Sequence, residues 1–193
     1  MTILVLMGPP GAGKGTQADV LAERLGVPAI STGDIFRAQV ADGTALGQQA
    51  KGYLDAGEYV PDSVTNAMIR ERLCADDTRA GFLLDGYPRT LDQVAVLDEF
   101  LAGQQRFVDG VVVLEVHADE LVARLLHRAA QAHRSDDTEP VIRRRLTVYA
   151  EQTQPLIEVY ASRGLVTTID GNGETHEVSQ RVLTMAVSLQ QQA

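Results

Sequence analysis

Residues 2–16 read TILVLMGPPGAGKGT. A mostly apolar run passes without a break into four glycines, two prolines and a lysine. An apolar run of this length, stopped by glycine and proline, reads as a buried strand. The stretch GPPGAGKGT nearly fits the pattern G-x-x-x-x-G-K-[ST]. Gly8, Gly13 and Lys14 fall on the pattern, Gly15 takes the hydroxyl slot, and the hydroxyl arrives one residue later at Thr16. In such a loop the backbone N–H groups point inward and cradle phosphate oxygens. Glycines permit the close approach. The helix opening near Lys14 adds its positive end, and the lysine reaches the outer phosphates. A strand before and a helix after separate this pattern from a chance glycine-rich turn.

Working outward, strand-like runs occur at 3–7, 28–31, 81–85, 110–116 and 165–169. Segments with helical apolar spacing lie between and after them, at 18–25, 91–101, 121–126, 141–160 and 178–189. Strands alternating with helices imply a parallel sheet covered on both faces. Two segments depart from the alternation. Residues 32–73 read as a mostly helical insert, and residues 129–139, AAQAHRSDDTE, as a short polar loop.

The chain has 193 residues, enough for one compact domain with small inserts. No apolar run approaches the roughly 20 residues of a membrane helix, and no basic segment precedes the first strand. The single cysteine, Cys74, excludes an internal disulfide and a cysteine-based zinc site. These features predict a cytosolic protein. A net charge of −9 argues against a nucleic-acid binder. Yet six arginines fall between positions 124 and 145, which points to a local anion site on a repelling background.

A second motif narrows the choice among phosphate-loop proteins. GFLLDGYPRT, residues 81–90, ends an apolar strand on Asp85, placed to contact magnesium through water. Gly86 allows close approach, Pro88 fixes the turn, and Arg89 presents a bidentate fork for phosphate. In STGDIFR, residues 31–37, Thr32 stands at a helix entry with Arg37 just over a turn later. Arg124 and Arg128 share one helix face at i, i+4 spacing. Arg134 lies in the polar loop with Asp136 and Asp137 behind it, and Arg145 lies near the start of a long helix. Arg143 and Arg144 read as a solvated helix face.

Together the motifs PGAGKGTQ, STGD, DGYPRT followed by Gln93, RSDD and YAEQTQPLIEVY resemble the adenylate kinase family. The likeness runs from Gly8 to about Gly173. It implies an α/β fold: a P-loop five-stranded parallel sheet with helices on both faces. A helical monophosphate-binding insert and a short lid interrupt it. The implied limits are core 1–30, 61–126 and 139–193, insert 31–60 and lid 127–138. The implied reaction is reversible, magnesium-dependent transfer between ATP and AMP, giving two ADP. On the ATP side the resemblance places Gly11, Ala12, Gly13, Lys14, Gly15 and Thr16 at the phosphates. It stacks Arg124 on the adenine and adds Arg128 and Gly173. On the AMP side it places Thr32, Arg37, Glu58, Tyr59, Val60, Gly86, Tyr87, Pro88, Arg89, Gln93, Arg134 and Arg145. Glu58, Tyr59 and Val60 act there through backbone. Lys14, Arg89, Arg128, Arg134 and Arg145 are the implied catalytic cations. Magnesium is held through water near Thr16 and Asp85, with no direct protein ligand.

Gln93 offers one donor and one acceptor to an adenine edge. Thr32, Thr90 and Gln93 speak against one alternative, a UMP/CMP kinase, and Arg37, Arg89 and Gln93 against the other, a nucleotide-gated switch protein. Only AAQAH separates Arg128 from RSDD, so the lid is of the short type. His127 and His133 have no third ligand, so no zinc is expected. The expected partners are ATP, AMP and ADP, with no nucleic acid and no membrane, and the expected state is a monomer.

Overall fold

The computed structural model describes residues 2–132 and 138–192. Its strands are β1 (Thr2–Met7), β2 (Ala29–Ser31), β3 (Gly81–Asp85), β4 (Gly110–Glu115) and β5 (Val166–Asp170). They pair in parallel in the order β2-β3-β1-β4-β5. β1 and β3 therefore lie side by side near the middle, and their C-terminal ends open toward the same side. Leu6 faces Asp85 across that pair.

Side chains of β1 alternate between two cores, as a strand's period of two requires. Ile3, Val5 and Met7 join Phe82, Leu84, Ile69, Leu97 and Tyr160 on one face. Leu4 and Leu6 join Leu83, Leu114, Leu21 and Val182 on the other. Full burial of each such aliphatic side chain contributes about 1.5–3 kcal/mol. Both faces are covered, which is why these strands are apolar without interruption.

The helices are α1 (Lys14–Leu25), α2 (Thr32–Ala41), α3 (Ala45–Ala56), α4 (Asp62–Leu73), α5 (Leu91–Ala102), α6 (Ala118–Ala132), α7 (Glu139–Val148), α8 (Pro155–Ser162) and α9 (Thr175–Gln192). No helix among the described residues is long and apolar enough to cross a membrane. Side chains fix several entries. Ser31 caps α2 by accepting from Asp34 N, Thr44 caps α3 from Gly47 N, and Thr90 caps α5 from Gln93 N.

Two expectations need correction. The periodicity over 141–160 suggested one helix, but α7 ends at Val148 and a π-type turn spans Tyr149–Thr153 before α8. Pro155 has no N–H to continue the ladder, and the widened turn absorbs the break. The polar loop expected at 129–139 is also shorter, because α6 continues through Ala132. Alanine and glutamine are good helix formers, so AAQA extends the helix rather than ending it.

One close approach sets the sheet. Gly81 has φ 132°, and a Cβ there would stand 2.2 Å from the Thr2 carbonyl oxygen. Only glycine fits where β3 begins opposite Thr2.

Candidate active site

The loop after β1 carries the first group of polar atoms. Gly13, at φ 85°, is the residue before α1. The half-buried Lys14 folds back over the loop and donates from Nζ to Gly8 O at 2.7 Å and Pro9 O at 3.0 Å. Burial lowers its pKa to about 8. Asp85 pulls the value up, while Arg89, Arg145 and Arg128 push it down further. Asp85, at the end of β3, is 8% exposed and its Oδ1 has no hydrogen-bond partner. Desolvation raises its pKa, opposed by Lys14 and Arg89. An orphaned buried carboxylate oxygen at the rim of a cleft fits the water shell of a divalent cation. Thr16 lies on the same cleft.

That cleft encloses about 990 Å³. It brings together Gly11, Ala12, Gly13, Lys14, Gly15, Thr16, Arg124, Arg128 and Gly173. Arg124 is anchored rather than extended. It pairs with Glu120, and its Nη2 donates to Gly171 O and Gly173 O at 3.0 Å each. Arg37, Asp85, Gly86, Arg89 and Arg145 complete the opposite wall.

A second, narrower space lies behind that wall. Thr32, Glu58, Tyr59, Val60, Gly86, Arg89 and Gln93 line its inner end. Arg37, Pro88, Arg145, Tyr149 and Thr153 line its mouth. Lys14, Arg37, Arg89 and Arg145 border both spaces. The two spaces thus share four cationic side chains, an arrangement suited to anionic groups on both sides of them.

Arg89 is held from several sides. Its Nε donates to Gly86 O at 2.7 Å, and its guanidinium lies 4.9 Å from the centre of the Tyr59 ring. Thr153 Oγ1, from the π-type turn, donates to Arg89 O at 3.0 Å. With that proton committed, Tyr59 OH is the donor in its 2.7 Å contact with Thr153 Oγ1. Gly86, at φ 75°, leaves room for this arrangement. A Cβ there would stand 2.6 Å from Arg89 Nη2 and 2.8 Å from Thr32 Oγ1. Arg37 pairs with Asp34 at 2.6 Å on its own helix. Thr32 Oγ1 donates to Gly86 O at 2.8 Å.

Not every residue singled out by sequence faces these spaces. Tyr87 is 1% exposed and turns into the core, where its hydroxyl donates to Asn66 Oδ1 at 2.7 Å. Arg144, read as part of a solvated helix face, is exposed and also reaches Glu58 Oε1 at 2.6 Å, which ties α7 to the loop after α3. Arg134, Asp136, Asp137 and His133 lie outside the described residues. Sequence reasoning missed Asp62 and Thr153. The signal for Asp62 was a carboxylate directly after Pro61 at a helix start, and for Thr153 a hydroxyl two residues before Pro155.

The Lys14 value has a measurable consequence. A bound polyphosphate favours the ammonium form and raises the pKa above 8, so the complex holds more protons than the free protein at alkaline pH. Polyphosphate binding should take up roughly one proton at pH 9 and little from Lys14 at pH 7. Calorimetry at pH 9 in two buffers of different ionisation enthalpy measures this. Lys14→Ala should abolish the uptake, and wild-type uptake near zero at pH 9 would refute the assignment.

Comparison with known proteins agrees with the geometry. The family model described as adenylate kinase matches residues 6–165. An adenylate kinase from Nocardioides sp. is 59% identical over 179 residues, covering 93% of this chain and 94% of that protein. An adenylate kinase from Kocuria rhizophila is 56% identical over 183 residues, covering 95% and 97%. One from Thermobifida fusca is 55% identical over 181 residues, covering 94% and 96%.

Proposed function

The chain belongs to the adenylate kinase family, a nucleoside monophosphate kinase catalysing ATP plus AMP to two ADP, and we propose that its residues divide that work between the broad cleft and the narrower space behind it. The phosphate loop, Gly11 through Thr16, would hold the ATP phosphates, with Arg124 and Gly173 at the adenine end. Thr32, Val60 and Gln93 would hold the AMP base, and Arg37 and Arg89 its phosphate. Glu58, Tyr59, Gly86 and Pro88 would shape that pocket, chiefly through backbone. The observation that carries this reading is the shared wall of Lys14, Arg37, Arg89 and Arg145 between the two spaces.

The AMP phosphate oxygen is itself the nucleophile, so no side chain need supply one. What the protein must do is align the two polyanions and stabilise charge on the group in transit. Lys14 would follow the charge on the outer phosphates of ATP. Arg89, fixed by Gly86 and Tyr59, would hold the acceptor phosphate in line. Arg128 and Arg145 would approach from the α6 and α7 side, joined by Arg134. Magnesium, which the family uses with ATP, would neutralise charge between the β- and γ-phosphates when bound. Asp85 and Thr16 would hold its waters. The reading without zinc rests on the single cysteine and the short segment between Arg128 and RSDD.

Residues 31–60 act in this reading as the monophosphate-binding insert and 127–138 as the lid. The remainder, 1–30, 61–126 and 139–193, forms the core. A cytosolic monomer acting on ATP, AMP and ADP, apart from nucleic acid and membrane, fits the acidic composition. An acceptor panel with ATP tests the assignment. AMP should be preferred over CMP and UMP by at least about tenfold in kcat/KM, the scale of one misplaced buried hydrogen bond. Preference for a pyrimidine monophosphate would refute the base assignment. ATP hydrolysis without any acceptor transfer would favour a switch protein.

A further inference from the structure

Gln93 is 2% exposed, and both ends of its carboxamide are engaged inside the protein. Its Oε1 accepts from the backbone N–H of Arg89 at 2.7 Å. Its Nε2 donates to Asp62 Oδ1 at 2.6 Å. The second carboxylate oxygen of Asp62 accepts from Thr90 Oγ1 at 2.6 Å. Thr90 in turn caps α5 by accepting from Gln93 N at 3.2 Å. The result is a closed circuit of Asp62, Thr90, Gln93 and Arg89 that joins the start of α4 to the start of α5.

The partners at the two ends are not interchangeable. A carboxylate can only accept, and a backbone N–H can only donate. A carboxamide turned by 180° would set oxygen against oxygen at Asp62 and N–H against N–H at Arg89. The amide is therefore locked in one sense. One Nε2 proton and one Oε1 lone pair remain, on a residue that lines the inner pocket with Thr32 and Val60. Thr32 has committed its proton to Gly86 O, so it offers only lone pairs to a ligand.

A 6-aminopurine presents a donor at N6 and an acceptor at N1. A 6-oxopurine presents the reverse, an acceptor at O6 and a donor at N1. We infer that Asp62, by fixing the sense of the Gln93 carboxamide, is a specificity-determining residue that makes the acceptor site take a 6-amino over a 6-oxo purine monophosphate. This rests on the reading that Gln93 meets the acceptor base, and the test separates the two claims. Asp62 acts through Gln93 and is a positioning residue. Asparagine in its place has nearly the same shape but can present either oxygen or NH₂, so the Asp62 half of the lock is lost and only the Arg89 N–H still opposes the turned amide.

The measurement is kcat/KM with AMP and with IMP, which differ at the 6-position and at N1. Asp62→Asn should lower the AMP-to-IMP ratio by about tenfold or more, with an absolute rise in kcat/KM for IMP. General structural damage would lower both substrates together. Gln93→Ala should also collapse the ratio, and adding Asp62→Asn to Gln93→Ala should change it no further. If Gln93→Ala leaves the ratio unchanged, the base is read elsewhere and both claims fall. If Gln93→Ala collapses it while Asp62→Asn keeps the wild-type ratio, the lock alone is overturned. Should Asp62→Asn not fold, the nucleotide-free wild-type protein carries the test by NMR. The Gln93 side-chain NH₂ should exchange slowly with solvent and rotate slowly about its amide bond. Rotation as fast as for a surface glutamine would overturn the proposal.

Discussion

Replacing Lys14 with alanine should lower turnover by about 10²–10³-fold and leave the fold intact. Lys14 sits where the loop after β1 meets the wall of arginines, and among the described residues Nζ is held by the carbonyls of Gly8 and Pro9. Those carbonyls can be rehydrated when the ammonium is lost, because the cleft is open to water. The change removes a positioned charge from the phosphoryl path rather than packing from either core. Asp85 and the arginines gain no substitute for it. Loss should therefore appear in kcat more than in the thermal midpoint. Steady-state assay with ATP and AMP, beside circular dichroism, checks this. Turnover within tenfold of wild type, in a protein of normal ellipticity, would remove Lys14 from the catalytic group.

A larger effect is expected at Arg89. An arginine that meets a transferring phosphoryl group is worth on the order of 10³ or more in turnover. Arg89 borders both the broad cleft and the narrower space, and its guanidinium is oriented by Gly86 O and the Tyr59 ring. The anchors to Gln93 Oε1 and Thr153 Oγ1 use its backbone, so Arg89→Ala keeps them and the loop should hold its course. Arg89→Lys keeps a charge but loses the Nε–H contact and the planar stack, so it should recover only part of the loss. ATP affinity, read by calorimetry without acceptor, should change far less than kcat/KM for AMP. Equal losses of ATP affinity and AMP turnover would place Arg89 on the donor side instead.

How legible these residues were depends on how local their signals are. The phosphate loop could be read because its glycines and lysine act within a single turn between one strand and one helix. Arg89 could be read for the same reason, from the turn that succeeds β3. Asp62 could not. It stands 31 residues from the glutamine it locks, and a carboxylate at a helix start is ordinary on its own. The tie from exposed Arg144 to Glu58 could not be read either, because the two stand 86 residues apart. The five strands stood out because continuous apolar runs between helical periods leave few alternatives. The helix over 141–160 was misread because periodicity cannot register that Pro155 forces a wider turn before it, and that turn is what delivers Thr153 to Arg89.

The glycine at the foot of β3 acts as the zero mark of a ruler. β1 and β3 are apolar on both faces, so hydrophobicity alone would penalise a sliding of one along the other only weakly. Gly81 removes that freedom, since Thr2 tolerates no other side chain beside it. From this mark the strands count upward in step to Leu6 and Asp85. Asp85 is therefore placed by a contact about 13 Å away, at roughly 3.3 Å per residue. An error of one division would turn its carboxylate to the opposite side of the sheet and leave Lys14 facing an aliphatic chain. The spacing between the loops that follow β1 and β3 is thus calibrated at the opposite end of the sheet.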